Sequence, residues 1–244
     1  MITHKYMNFN PFSQNFILVP IFLNVLVLFY NFIPDIGVVI ILLTVVIRLI
    51  LLPSFHKSLK SQAAMTALQP KMNELREKHK DDKQAQAKAM MDLYKEHKVS
   101  PFSSCLPMLV QLPILISLYF VFTKALTGNL EGLYAFVHRP EHLSPMFLGF
   151  MDLSKPSHIL AILAGLSQFW QSKLMTPTTQ GTTQDSTQKI MSAQMTYMLP
   201  VVSVVIAWNF PAGLPLYWVV STLFGIGQQY YINRNKTPEL KSIN

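Results

Sequence analysis

The chain has 244 residues and a formal net charge of +8, and its residues are 50% hydrophobic but only 13% charged. Because roughly a quarter of the residues are charged in an ordinary soluble domain, this composition excludes that class and indicates a polytopic membrane protein. The single cysteine, Cys105, excludes an internal disulfide. The opening residues lack the basic, apolar and small-residue regions of a secretory signal, so no cleaved leader is expected.

Six apolar segments follow one another along the chain, and several approach the ~20 residues that a helix needs to cross a hydrocarbon core. They cover residues 16–33, 36–53, 104–123, 158–174, 195–210 and 213–232. Residues 54–100 contain ten of the twenty lysines and arginines, so this stretch is expected to face the cytoplasm. If each later segment crosses once, residues 124–157 lie outside, whereas residues 175–194 and the C-terminal tail lie in the cytoplasm.

The first apolar segment, residues 16–33, has features of both a spanning and an interfacial helix. It contains Pro20 and Asn24, has aromatic residues at both ends, and is followed by a Pro-Asp-Ile-Gly turn at residues 34–37. Aromatic-rich amphipathic helices often lie in the plane of the lipid headgroups. The residues alone therefore leave both arrangements open.

The charged stretch, residues 54–100, is predicted to form a helical hairpin. Good helix formers fill its first half, where Pro70 is expected to kink or divide the helix. Asp81 followed by Gln84 resembles a capping box, which predicts the start of a second helix that runs to about Lys98.

One apolar stripe is expected to hold the two hairpin helices together. The second helix presents Ala87, Met90, Met91 and Tyr94, which are expected to pack on Leu68, Met72 and Leu75 of the first. The hairpin has ten basic and six acidic residues, a net charge of +4, which suits contact with anionic lipid, ribosomal RNA or acidic nascent chains. The candidate contact residues are Lys78, Lys80, Lys83 and Lys88. A solvated hairpin that obeys the positive-inside rule explains the charge equally well.

A single arginine interrupts the second apolar segment, in the sequence TVVIRLILLP at residues 44–53. Arg48 lies five residues before Pro53, about 7.5 Å at a rise of ~1.5 Å per residue, so its side chain could extend to the membrane edge. Against this interpretation, a charge among lipid tails costs several kcal/mol. Thr44 also lies one turn away on the same face, so the helix carries a polar stripe.

The later apolar segments contain no Asp or Glu that could neutralise Arg48. They contain amide and hydroxyl groups instead, on Gln111, Ser117, Tyr119, Ser167, Gln168, Gln171, Ser203, Asn209, Tyr217, Ser221 and Thr222. A cation surrounded by neutral polar groups suggests a water-filled cavity. Such a cavity would attract negatively charged segments.

Catalytic motifs are missing from the sequence. It has no phosphate-binding loop, no His-Glu-x-x-His helix and no membrane-embedded aspartate pair. Pro140 separates His138 from His142 and argues against a shared metal site, and Ser167 lacks the Gly-x-Ser-x-Gly context of a strained nucleophile. We therefore predict no enzyme activity, no metal and no cofactor. One possible function is an anion channel or transporter in which the charge of Arg48 selects anions.

Several stretches resemble the YidC family of membrane protein insertases, occur in the family's order and cover nearly the whole chain from about residue 15. They are TVVIRLILLP (44–53), LQPKMNELREKHKDDKQAQAKAMMDLYKEHKVSP (68–101), SSCLPMLVQLPILISLYF (103–120), KLMTPTT (173–179) and NFPAGLPLYW (209–218). The resemblance is specific because it joins an arginine, a charged hairpin and a Phe-Pro-x-Gly turn at the family's separations. It is a resemblance to bacterial members without the large outer domain.

The resemblance implies an all-α polytopic membrane protein of the inner cell membrane, with five transmembrane helices around a hydrophilic groove. It implies that residues 1–35 form an extracytoplasmic N-terminus and an interfacial helix. The first transmembrane helix would cover residues 36–53 and be followed by a cytoplasmic helical hairpin, residues 54–100. Four further transmembrane helices would lie within residues 101–232, before a short cytoplasmic tail, residues 233–244.

The resemblance also implies a function, which is to insert and help fold single- and double-spanning membrane proteins without ATP. It makes Arg48 and Thr44 groove residues, together with Gln111, Gln168, Asn209, Tyr217 and Trp218. Many relatives have Tyr-Tyr where this chain has Tyr217-Trp218, and tryptophan where it has Asn209. Nascent membrane proteins and membrane lipid are the expected partners, the ribosome and a Sec translocon are candidates, and DNA is not expected. The anion channel or transporter remains the alternative.

Overall fold

The computed structural model of the protein describes residues 13, 16–97, 99–100, 106–175 and 193–234. The predictions for Cys105, for the polar stretch 176–189 and for most of the C-terminal tail lie outside these residues. The described helices are α1 (Leu18–Phe32), α2 (Ile36–Ala67), α3 (Gln69–Lys78), α4 (Lys83–Glu96), α5 (Leu106–Leu126), α6 (His158–Met175), α7 (Leu199–Asn209) and α8 (Gly213–Arg234). A π-helical turn, Gln194–Met198, leads into α7.

The long helix α2 begins at a side-chain cap and continues well beyond the apolar segment. Asp35 caps it, because its Oδ1 accepts a hydrogen bond of 3.0 Å from the backbone N–H of Val38. The helix passes through Pro53 and Ser54 and ends at Ala67. The helix formers that follow Pro53 extend the same helix beyond the apolar segment 36–53, and the position of the membrane edge near residue 53 stays a prediction.

Pro70 divides the first half of the charged stretch between two helices, α2 and α3, as the sequence predicts. α2 ends just before Leu68, and Pro70 occupies the first turn of α3, where its missing N–H and fixed φ angle are tolerated. The cap of α4 is Asp82 rather than the predicted Asp81. Its Oδ1 accepts hydrogen bonds from the backbone N–H groups of Gln84 and Ala85, at 2.9 and 3.0 Å.

Helices α3 and α4 form a hairpin with its own small apolar core. Its buried residues are Leu68, Met72, Leu93 and Tyr94, with Met65, Leu75, Met90 and Val99 half-buried around them. The predicted contact of Met90 and Tyr94 with the first helix is confirmed, whereas Ala87 and Met91 are exposed. The stripe on α4 is centred on Leu93, which turns those two residues away from α3. Burial raises the pKa of Tyr94 above its ordinary value, and the charge of Arg76 opposes this shift.

The remaining helices form two packed groups that meet at α8. In the first, α1 packs on α2 and α5 through buried aliphatic side chains that include Leu23, Val39, Leu43 and Leu118. In the second, α6 packs against both α7 and α8, and α8 also lies along α2. Small residues allow the close approach of α6, where Ala161 and Ala164 are fully buried. This arrangement places α8 between α2 and α6.

The loop between α5 and α6, residues 127–157, is hydrogen-bonded to α1 and to the start of α2. It contains a short antiparallel hairpin, β1 (Met146–Phe147) and β2 (Met151–Asp152), with Phe147 paired with Met151. Four side chains bind its backbone: Asn24 to Gly132 and Tyr134, Asn31 to His138, Tyr30 to Ser144 and Asp35 to Leu148. These bonds hold the loop against the second half of α1 and the start of α2.

Large apolar side chains are exposed along several helices. Examples are Leu49 and Ile50 on α2, Ile159 and Leu166 on α6, and Val205 on α7. Among the described residues, two helices are long and apolar enough to cross a membrane, Ile36–Ala67 and Leu109–Leu126, and Leu18–Phe32 and Thr196–Asn209 are shorter apolar helices. Exposed apolar side chains of this size are typical of surfaces that face lipid.

Gly37 provides a test of the packing between α2 and the connecting loop. A Cβ at this position would overlap the ring of Phe147, whereas a Cβ at Gly227, within α8, has no atom within 4 Å. Gly37→Ala is therefore expected to destabilise the protein by about 1–3 kcal/mol. Gly227→Ala, the matched control, is expected to be neutral or stabilising by up to about 1 kcal/mol, since alanine favours a helix. Thermal unfolding of the two variants in detergent measures the difference, and equal transition temperatures would contradict the close contact.

Candidate functional site

The arginine of α2 lies in the packed interior between α2 and α8. Arg48 is buried, with 9% of its surface exposed. Its Nε donates a hydrogen bond of 2.8 Å to Oγ of Ser221, and its Nη2 donates to the same oxygen. The guanidinium carbon lies 4.8 Å from the centre of the Phe55 ring. One edge of the guanidinium therefore contacts a hydroxyl, and one face contacts an aromatic ring.

The contacts of Arg48 include no carboxylate within the part of the chain that the structure describes. The two ion pairs found there join Lys95 to Asp92 and Lys155 to Asp152, and both lysines are well exposed. A buried cation without a counter-ion retains its attraction for anions, because the Ser221 hydroxyl supplies hydrogen-bond acceptance but no negative charge. The site is therefore suited to contact an acidic group that enters from elsewhere.

Thr44 lies one turn from Arg48 and is buried, with 1% of its surface exposed. Its hydroxyl donates a hydrogen bond of 2.6 Å to the carbonyl oxygen of Ile40, within the same helix. This bond satisfies the donor of a buried hydroxyl. Thr44 thus adds a polar position beside Arg48, while its proton is directed towards the α2 backbone.

Three polar side chains of α8 connect this helix to three different neighbours. Ser221 binds Arg48 of α2, as described above. One turn earlier, the hydroxyl of Tyr217 accepts a hydrogen bond of 2.7 Å from Nε2 of Gln111, on α5. The indole Nε1 of Trp218 donates a hydrogen bond of 3.3 Å to Oε1 of Gln168, on α6. Residues 217–221 of α8 therefore bring together polar groups from α2, α5 and α6.

Asn209 lies apart from this group. It is exposed at the last position of α7, and its Nδ2 donates a hydrogen bond of 3.4 Å to the carbonyl oxygen of Val205. The residues after Asn209 contact the loop between α5 and α6. Pro211 forms an isolated antiparallel β-bridge with Pro156, and the backbone N–H of Ala212 donates a hydrogen bond to the carbonyl oxygen of Lys155. Ser221, the partner of Arg48, lies more than two turns beyond Ala212, within α8. The role of Asn209 as a groove residue stays a prediction.

The four hairpin lysines lie around the turn between α3 and α4. Lys78 is the last residue of α3, Lys80 lies in the turn, and Lys83 and Lys88 lie on α4. All four are exposed. Their positions make them accessible to a partner, and the contact itself stays a prediction.

Two residues of the Arg48 site were not singled out from the sequence. Ser221 was one of several polar residues in the last apolar segment, and nothing in the sequence distinguishes it from Thr222 beside it. Phe55 carries a weak signal, because it follows Arg48 by seven residues and so lies on the same helix face two turns away. That signal depends on α2 continuing through Pro53.

Comparisons with known proteins agree on one family. The family described as "60Kd inner membrane protein" matches residues 28–239. The membrane protein insertase YidC of Geotalea uraniireducens is 41% identical over 215 residues, which cover 87% of this chain and 37% of the relative. The chain belongs to the YidC family of membrane protein insertases. The YidC of Geobacter sulfurreducens is 43% identical over 216 residues, covering 87% of this chain and 36% of that protein.

A solved structure supports the same assignment. A chain described as an active YidC insertase with the first transmembrane domain resolved has a TM-score of 0.56 and 26% identity to this chain, covering 83% of this chain and 43% of the other. The YidC resemblance drawn from the motifs is therefore confirmed, and so is an all-α membrane protein fold. The chain spans little more than a third of the length of the curated YidC relatives that it matches.

Proposed function

We propose that this protein is an insertase that inserts and helps fold single- and double-spanning membrane proteins through a hydrophilic groove. The observation that carries the proposal is Arg48, a buried cation whose described contacts are a serine hydroxyl and an aromatic ring. Membership of the YidC family supports it. The groove would be lined by Arg48, Thr44, Gln111, Gln168, Tyr217 and Trp218, with Asn209 at its far end.

The groove lowers the cost of moving a polar segment across the membrane. Transfer of polar groups into hydrocarbon without hydrogen-bond partners is strongly unfavourable, whereas a hydrated groove leaves only part of the bilayer to cross. Arg48 attracts acidic residues of the client as they enter. Burial of the client's apolar helix in lipid supplies the driving free energy, at about 25 cal/mol per Å² of apolar surface. The process therefore needs neither ATP nor a covalent step, and the protein is not an enzyme in this proposal.

In the proposed topology, the five helices α2, α5, α6, α7 and α8 cross the inner cell membrane. The helix α1 lies along the outer face, and the α3–α4 hairpin and the C-terminus lie in the cytoplasm, where Lys78, Lys80, Lys83 and Lys88 contact clients or the ribosome. Together with the π-helical turn that leads into it, α7 covers residues 194–209, about 24 Å at ~1.5 Å per residue, which is shorter than the ~30 Å hydrocarbon core and favours local thinning of the bilayer. Nascent membrane proteins and lipid are the partners, and the ribosome and a Sec translocon are candidates for delivery.

Reconstitution in liposomes tests the insertase function. The purified protein is expected to insert a single-span client with a short acidic N-terminal segment without ATP, as measured by protection of that segment from external protease. The matched control is a client whose apolar helix is replaced by a polar sequence of equal length, which is expected to stay outside because lipid burial drives the reaction. Protein-dependent anion flux without client insertion would contradict the proposal and favour an anion channel.

A further inference from the structure

The ring of Phe55 is stacked against the charge of Arg48. Phe55 is buried, with 9% of its surface exposed, and its ring centre lies 4.8 Å from the guanidinium carbon. This distance is within the ~6 Å over which an aromatic face attracts a cation. Phe55 lies on the α2 extension beyond Pro53, so the contact exists because α2 does not end at the proline.

Phe55 and Ser221 together fix the orientation of the guanidinium. Ser221 occupies the edge formed by Nε and Nη2, which is one of the edges that can bind a carboxylate through two parallel hydrogen bonds. Phe55 covers one face and lies two turns nearer to the Ala67 end of α2. The guanidinium is therefore directed towards that end of the helix, and its Nη1 amino group takes part in neither hydrogen bond.

From this geometry we infer that Phe55 is a positioning residue for Arg48, and that it determines how strongly the protein prefers acidic client segments. The inference rests on the proposed insertase function. The ring holds the positive charge of Arg48 towards the hairpin end of α2, where a client carboxylate meets it. Because Ser221 occupies the edge formed by Nε and Nη2, the attraction of the client carboxylate depends on the positive charge rather than on two fixed hydrogen bonds at that edge, and it is weak enough for the client to leave.

Substitution of Phe55 separates a positioning role from simple packing. Phe55→Leu keeps an apolar side chain of similar size but removes the aromatic face, and Phe55→Tyr keeps that face. In the liposome assay, Phe55→Leu is expected to lower the insertion rate of an acidic client about 3- to 10-fold relative to the wild type. Phe55→Tyr is expected to retain most of the wild-type insertion rate for the same client. The rate for a client with an uncharged segment is expected to change by less than about twofold.

The Arg48→Ala background provides the decisive control. If Phe55 acts through Arg48, then Phe55→Leu has no further effect on the acidic client once Arg48 is absent. Equal losses for acidic and uncharged clients, an additive loss in the Arg48→Ala background, or no loss in Phe55→Leu would each overturn the inference. These outcomes presuppose that the wild type inserts clients. A wild type that inserts none would contradict the insertase function itself.

Discussion

Replacement of Arg48 by alanine is expected to reduce the insertion rate of clients with acidic translocated segments by about tenfold or more, which corresponds to ~1.4 kcal/mol of lost stabilisation. The variant removes a buried positive charge from the contact between α2 and α8. For clients with uncharged segments, the insertion rate is expected to fall by less than about twofold, because the other polar side chains of the proposed groove can still bind water. The measurement is protease protection of matched clients that differ only in two or three acidic residues.

Arg48→Lys is the matched control, because it keeps one positive charge but loses the planar fork of the guanidinium. A lysine ammonium group can still donate to Oγ of Ser221 and contact the Phe55 ring, so we expect Arg48→Lys to retain most of the insertion rate. If Arg48→Lys were as defective as Arg48→Ala, the result would contradict diffuse electrostatic attraction and would indicate that Arg48 makes a fixed contact that only a guanidinium can form. Normal insertion of acidic clients by Arg48→Ala would remove the electrostatic role altogether.

The helical elements follow closely from the sequence, because each depends on local patterns. Apolar runs predict the apolar helices, and Pro70 predicts the division between α2 and α3. The continuation of α2 through Pro53 is local too, since one proline removes a single backbone hydrogen bond while strong helix formers follow. One error is also local. At the tip of the hairpin, two adjacent aspartates compete for the cap, and Asp82 occupies it.

The composition of the Arg48 site was predictable only in part. The sequence shows an arginine among apolar residues and no carboxylate in the later apolar segments, which is enough to predict neutral partners. It cannot show which hydroxyl lies opposite, because Ser221 is far along the chain and its register against Arg48 depends on how α8 packs on α2. The pairs formed by Tyr217 with Gln111 and by Trp218 with Gln168 depend on the same packing.

The buried side chain of Asn24 is expected to be the most important single contact that holds the connecting loop on α1. Asn24 is 3% exposed, and its Nδ2 donates to the carbonyl oxygens of Pro20 and Gly132 at 2.7 and 3.0 Å. Its Oδ1 accepts a hydrogen bond of 2.6 Å from the backbone N–H of Tyr134. Asn24→Ala would leave the backbone N–H of half-buried Tyr134 without its partner, at a cost of about 1–3 kcal/mol, whereas water can replace the bond to the carbonyl of exposed Gly132. We expect the unfolding temperature in detergent to fall by about 5 °C or more.

Asn31→Ala is the matched control for Asn24→Ala, because Asn31 also binds the loop, through a 2.8 Å hydrogen bond from its Nδ2 to the carbonyl of His138, but is exposed. Water can replace that bond, so the unfolding temperature is expected to change by less than about 2 °C. Limited proteolysis should then cut residues 127–157 faster in Asn24→Ala than in Asn31→Ala, because the first variant releases a loop whose backbone is held at both Gly132 and Tyr134. Equal unfolding temperatures and equal cleavage rates would mean that the apolar contacts between the loop and α1, and not Asn24, hold the loop in place.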